Sequence, residues 1–148
     1  MTQTPKLKPK PQMPKDRLLP KPTPETAHFW EGTKVGELRL QQCDDCNHVY
    51  FPPRPFCPKC TSDNVQVIAA SGKATLYSYA ISARPAPGIE APYSVAVVTL
   101  EEGPRLMTNI VDCPQTPEAL VLDMPLKAVF HAQNEEITLP FFAPESPQ

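Results

Sequence analysis

Cys43-Asp44-Asp45-Cys46 and Cys57-Pro58-Lys59-Cys60 are two CxxC pairs separated by ten residues, and their reading decides the fold. Each CxxC folds into a knuckle whose sulfurs point the same way. Two facing knuckles give the tetrahedral thiolate set that zinc prefers, at about 2.3 Å per bond. Four protein ligands leave no position for water or substrate, so the metal is expected to be structural and to supply folding energy to a segment too short for its own core. Iron on the same four thiolates fits the spacing as well. Two disulfides would need an oxidising compartment to which nothing in the sequence points, and a thioredoxin-type redox pair would not come in duplicate. His48 would replace a sulfur only if one cysteine were spared.

The intervening segment, Asn47 to Phe56, places Val49-Tyr50-Phe51 before Pro52-Pro53-Arg54. Aromatics ahead of a rigid proline pair suit a ribbon hairpin, its tip packed on a neighbouring surface or its rings covering the metal site. Glu37 to Leu40 and Val65 to Ile68 alternate as flanking strands. Beyond Gly72 follow five strand-like segments: Lys73–Ala83, Tyr93–Leu100, Arg105–Val111, Leu126–Ala132 and Ile137–Phe141. Glu101 to Pro104 and Gln133 to Glu136 read as tight connections, and Thr116 to Leu120 as one helical turn where an OB-fold places its inter-strand helix.

On the N-terminal side, Thr23-Pro24-Glu25 reads as a helix start and Gly32 as its stop, giving about two turns with Phe29 and Trp30 on an aromatic face. So short a helix is marginal alone and must pack on something. The first 22 residues hold six prolines and six basic side chains, a composition that cannot offset its ordering entropy, so an extended mobile arm is expected. The division is therefore an arm over 1–22, a helix over 23–35, a ribbon over 36–68, a five-stranded barrel over 69–143 and a tail over 144–148. The fold class is mainly β.

Charge narrows the partners. Among the 148 residues, those up to Thr26 carry six basic groups against Asp16 and Glu25, and the remainder carries eight basic against fourteen acidic groups, a net of −6. An acidic body lacks the footprint of a nucleic-acid binder, although zinc-ribbon and barrel proteins that stack single strands remain the alternative reading. No apolar run approaches the roughly 20 residues of a membrane span, and the N-terminus lacks an apolar signal segment, so the chain is read as cytoplasmic. A nucleophile-and-base search finds Cys113, His28, His48 and His131 but no GxSxG, HExxH or glycine-rich phosphate loop. Asp44/Asp45, Glu101/Glu102 and Glu135/Glu136 read as solvated turn charges.

The order of Phe29-Trp30-Glu31-Gly32, Gly36-Glu37-Leu38, the two CxxC pairs around Phe51-Pro52-Pro53-Arg54, then Ser71-Gly72-Lys73-Ala74 and Leu139-Pro140-Phe141 resembles the zinc-ribbon and OB-fold accessory proteins of thiolase-superfamily enzymes, long catalogued as a domain of unknown function. The resemblance spans roughly residues 25 to 143. It implies a rubredoxin-like zinc ribbon joined to an OB-fold. It also implies a non-catalytic subunit that sits against a thiolase-like enzyme and helps enclose acyl-CoA for acyl transfer or carbon–carbon bond formation and cleavage. Arg54, Lys59, Lys73 and Arg84 are the candidate cations for CoA, and Phe29, Trp30 and the loop from Arg84 to Pro92 the candidate partner contacts. Asp123 stands where many relatives carry glycine, and the arm has no counterpart.

Overall fold

The computed structural model describes residues 16–145. Most of the expected arm, residues 1–15, and the end of the tail, 146–148, lie outside the described residues. One helix and two sheets follow: α1 (Ala27–Lys34), then β1 (Arg39–Cys43), β2 (Val49–Tyr50) and β3 (Val65–Ala69) in the order β2-β1-β3. Next come β4 (Lys73–Ser82), β5 (Tyr93–Leu100), β6 (Arg105–Thr108), β7 (Pro125–Ala132) and β8 (Thr138–Pro144), in the order β6-β5-β4-β7-β8.

The helix differs from expectation at both ends. Thr23 and Thr26 bond each other, with the Thr23 N–H donating to Thr26 Oγ1 at 2.9 Å and the Thr26 N–H to Thr23 O at 3.0 Å. The two hydroxyls also bond each other at 3.1 Å, which occupies the Thr23 hydroxyl expected to cap a helix begun at Pro24, and α1 begins at Ala27. Gly32 does not end it. The stop is Gly36 at φ +76°, where the Gly36 N–H donates to Thr33 O and the Glu37 N–H to Gly32 O, the paired bonds of a Schellman motif. Gly32 instead admits the Arg39 side chain, whose Cγ would lie 2.7 Å from any Cβ placed there.

The second sheet is antiparallel throughout and curls, consistent with an OB-fold. A bulge between Leu76 and Ser78 lets β4 pair with β7 at its start and β5 along its length. Asp123, at φ +66°, supplies the left-handed turn of a glycine while its N–H donates to Leu76 O at 2.8 Å. The sheet's two edges meet at one parallel bridge, Ile110 to Phe142. Around Thr116 the chain makes a single turn, with the Leu120 N–H on Thr116 O at 3.0 Å, and Leu120 is buried.

The core runs through both sheets. Ala96, Val98 and Leu100 alternate inward on β5 and meet Leu76, Leu126 and Phe142, while Phe29, Leu38 and Leu40 join the same cluster from the ribbon side. Shared apolar burial therefore holds helix, ribbon and barrel together. Among the described residues no helix is long and apolar enough to cross a membrane.

Candidate metal centre and flanking grooves

The two knuckles superpose in their local bonding. The Asn47 N–H donates to Cys43 O and the Thr61 N–H to Cys57 O, both at 2.9 Å, and Asn47 and Thr61 take φ of 60° and 64°. Each left-handed residue turns the chain back so that its pair of sulfurs faces the other pair. Cys43 and Cys60 Sγ lie 3.5 Å apart, Cys46 and Cys57 Sγ 3.6 Å, and all four sulfurs lie within 4.8 Å of one another. A tetrahedron of 2.3 Å bonds has edges of about 3.8 Å, so the donor set fits one tetrathiolate ion. Cys43 and Cys57 are buried, and Cys60 is exposed.

The four thiols share their protons unequally. Burial pushes Cys57 up, but N–H donors from Cys60 and Lys59 and the neighbouring thiols outweigh it and bring the group to about 7. Cys60 is favoured as thiolate by the Ser62 N–H, yet Cys43, burial and the other thiols drive it to about 12. Four crowded thiolates repel one another, and a divalent cation is what lets all of them ionise.

Outer-layer groups join the knuckles. Asp45 accepts from the Ser62 hydroxyl and, at 3.2 Å, from Asn64 Nδ2, and these two bonds hold its carboxyl below the usual range. Asp44 accepts from Gln66 Nε2 at 2.8 Å. The acidic pair expected to be solvated charge thus cross-braces the ribbon.

Beside the ribbon, a groove of about 610 Å³ separates it from the β5–β6 turn. Arg54 and Lys59 line it from the ribbon, and Arg105 and Glu102 from the barrel. Arg54 is positioned by its N–H on Gln41 Oε1 at 2.6 Å and by Tyr50, whose hydroxyl donates to Arg54 O at 3.2 Å. Arg105 escaped the sequence reading. Of the other candidates, Lys73 lies with Lys127 in a separate depression, and Arg84 sits in the loop after β4, where the Ser82 hydroxyl brackets its backbone.

A second groove, about 350 Å³ and mainly apolar, lies between α1, the ribbon tip and the barrel edges β6 and β8. Phe29 is buried, 5.0 Å edge-on from half-buried Trp30 and 5.2 Å from Phe51. The ribbon tip thus packs on the helix, while Phe56 is exposed. Arg17 also lines this groove, 5.0 Å over the Phe141 ring and 3.2 Å from Asn109 Oδ1. The described part of the arm makes contacts that its composition did not announce.

Residues 30–66 match the family described as "ChsH2, rubredoxin-like zinc ribbon domain", and residues 67–131 the family described as "ChsH2, C-terminal OB-fold domain". The "probable enoyl-CoA hydratase alpha subunit" of Thermomonospora curvata is 37% identical over 134 residues, covering 88% of this chain and 41% of that protein. The chain therefore spans about two fifths of that relative's length. The "benzoylsuccinyl-CoA thiolase subunit BbsA" of Thauera aromatica is 27% identical over 77 residues, covering 52% of this chain and 54% of that one. Among solved structures, "Ltp2-ChsH2(DUF35) aldolase" aligns with a TM-score of 0.76 and 35% identity, covering 85% of this chain and 98% of that chain. With its four cysteines positioned to bind a metal ion in a rubredoxin-like zinc ribbon ahead of an OB-fold, the chain belongs to the ChsH2 (DUF35) family.

Proposed function

We propose that this chain is a cytoplasmic, non-catalytic accessory subunit that binds a thiolase-like enzyme and helps enclose acyl-CoA for acyl transfer or carbon–carbon bond formation or cleavage. The observation that carries this reading is the ribbon–barrel groove. In a body whose net charge from Ala27 onward is −6, Arg54, Lys59 and Arg105 converge on one depression against a single carboxylate, Glu102. Local cations in an otherwise repelling field suit a ligand bearing a few phosphates rather than a polyanion. The names of the relatives, a CoA hydratase subunit, a CoA thiolase subunit and an aldolase, support an assembly with a CoA-dependent enzyme.

The chemistry is assigned to the partner. Burial, with Asp112 adding to it, pushes the Cys113 thiol up, away from the thiolate a nucleophile needs. The tetrathiolate offers no open coordination position, and zinc there supplies folding energy. Within this reading the cysteines hold the ribbon, Arg54, Lys59 and Arg105 hold phosphate oxygens, and Trp30 and the Arg84 to Pro92 loop face the enzyme, with Lys73 as a further contact; Phe29, expected as a partner contact, is buried in the core and supports Trp30 from beneath.

The test is coexpression with a thiolase-like protein encoded beside this chain. Copurification and turnover by the pair alone are expected, with Arg54→Ala/Lys59→Ala raising KM for acyl-CoA while the complex stays intact. Turnover by the isolated chain, or full partner affinity in both Trp30→Ala and Arg84→Ala, refutes the corresponding assignment.

A further inference from the structure

The apolar groove beside Trp30 has a neighbour. A cavity of about 320 Å³ also borders Arg17, lined by Ile89, Tyr93, Val111 and His131, and among the described residues the two share Arg17, Asn109 and Phe141. Phe141 and Asn109 form the common floor, being parts of β8 and of the stretch that follows β6. Among the described residues, Arg17 is the only shared one that comes from outside the barrel. Its guanidinium lies over the ring of Phe141, which lines both cavities.

Each half sits at the lower end of the 300–1,000 Å³ spanned by small-molecule sites, and the two joined fall within that span. Among the described residues the first half carries no charged lining group except Arg17, and the second adds Asp112 and His131 to it. Among the described residues, one side-chain hydrogen bond and one ring contact hold the Arg17 guanidinium. Arg17 Nη2 donates one hydrogen bond, to Asn109, and Asn109 is itself anchored by donating to Ser94 O at 2.6 Å. The loop after β4 presses on the described part of the arm, a strap over the barrel, at Gly88, where any Cβ would approach Arg17 Cα to 2.8 Å. Burial lowers the Arg17 pKa, the mark of a cation held partly out of water.

We propose that the two cavities are halves of one trough for an elongated, uncharged apolar group, with Arg17 as its movable partition. This deepens the accessory reading given above by naming where the apolar part of a thioester substrate would lie. An occupant longer than one half displaces the guanidinium from Phe141 and Asn109 into solvent, whereas a short one leaves it in place.

Trp30 is the only tryptophan in the chain, and it lines the first half, so its emission reports occupancy directly. The full chain is titrated with 1-hexanol and 1-decanol, in wild type and in Arg17→Ala, without CoA and without any partner enzyme. Decanol is expected to bind Arg17→Ala at least threefold more tightly than wild type, with hexanol changing less than twofold. Gly88→Ala, which pushes the loop off the strap, is expected to tighten decanol in the same direction. Equal affinities for decanol in wild type and Arg17→Ala, an equal change for both alcohols, or no Trp30 response would overturn the proposal. A chain that fails this test yet copurifies with its enzyme and supports turnover separates this inference from the accessory function.

Discussion

The guanidinium carbon of Arg105 stands 3.7 Å above the centre of the Tyr77 ring. Tyr77 is the residue that the β4 bulge leaves without a cross-strand partner, and Arg105 opens β6 opposite Thr99 on β5. The stack reaches across β5 and fixes the direction of one of the three cations of the ribbon–barrel groove. At so exposed a site the contact contributes about 0.5–1 kcal/mol. Arg105→Ala is expected to lower the urea midpoint by that small amount, and Tyr77→Leu to lower it about as much while leaving the cation in place. If only the first change weakens acyl-CoA binding by the complex, the cation itself is what the ligand contacts.

Metal content is the sharpest check on the ribbon. The purified chain is expected to carry one zinc ion per molecule by elemental analysis. Cys57→Ser, at the most shielded second-knuckle position, is expected to lose it and to unfold the 43–60 segment. The binding free energy of structural zinc, about 10–16 kcal/mol in zinc fingers, is comparable to the whole stability of a domain, about 5–15 kcal/mol, so an excess of chelator should melt the ribbon as well. Retention of full near-ultraviolet dichroism after complete metal removal would contradict this.

Thr61 offers a gain rather than a loss. A β-branched residue at φ 64° is strained by about 1–2 kcal/mol, whereas Asn47, its counterpart in the other knuckle, tolerates that conformation. Thr61→Gly is expected to raise stability by about 0.5–1 kcal/mol, part of the relief being offset by the entropy of a glycine in the unfolded chain. Thr61→Asn should approach the same gain without that entropy term. A fall in thermal midpoint for both would mean that the hydroxyl bond from Thr61 Oγ1 to Cys60 O, at 2.6 Å, outweighs the strain.

The pH dependence has one traceable source on α1. His28 Nε2 is buried without a hydrogen-bond partner among the described residues, and burial, followed by the nearby Arg39 charge, lowers its pKa against the opposing pull of Glu31. A histidine held neutral in the fold contributes stability that is present above its unfolded pKa of 6.5 and is lost as the pH falls through and below that value. Wild type is therefore expected to lose more stability than His28→Gln between pH 7 and pH 5.5. Zinc release on acidification acts on both proteins, so the difference between their urea midpoints isolates the histidine. Parallel curves would remove His28 from the account.

What the sequence made legible follows the range of each interaction. The metal centre was readable because a CxxC knuckle is local: four residues turn two sulfurs together whatever surrounds them. The five barrel segments were readable for a similar reason, since β5 alternates strictly from Ser94 to Leu100. The helix start was misplaced because the Thr23 hydroxyl bonds Thr26 instead of capping a helix begun at Pro24, a choice between two local hydroxyl arrangements of similar energy. Gly32 looked like a stop because its need for close approach comes from Arg39, a side chain on β1. Arg105 could not be placed beside Arg54 without knowing the β5–β6 register and how the ribbon leans on that turn. Lys73 and Arg84 stand apart for the converse reason: proximity of type in a sequence says nothing of which rim of a curled sheet each residue occupies.

The two edges of the barrel meet at Ile110 and Phe142, where the Val111 N–H donates to Phe142 O and the Phe142 N–H to Asn109 O. A cylinder buckled at one point behaves as a bracelet with a clasp, able to gape along its slit while the hinge strands stay laced. Amide protons at those two positions should then trade with deuterium sooner than their neighbours on β5, and whatever slips into the slit from a larger assembly would slow them.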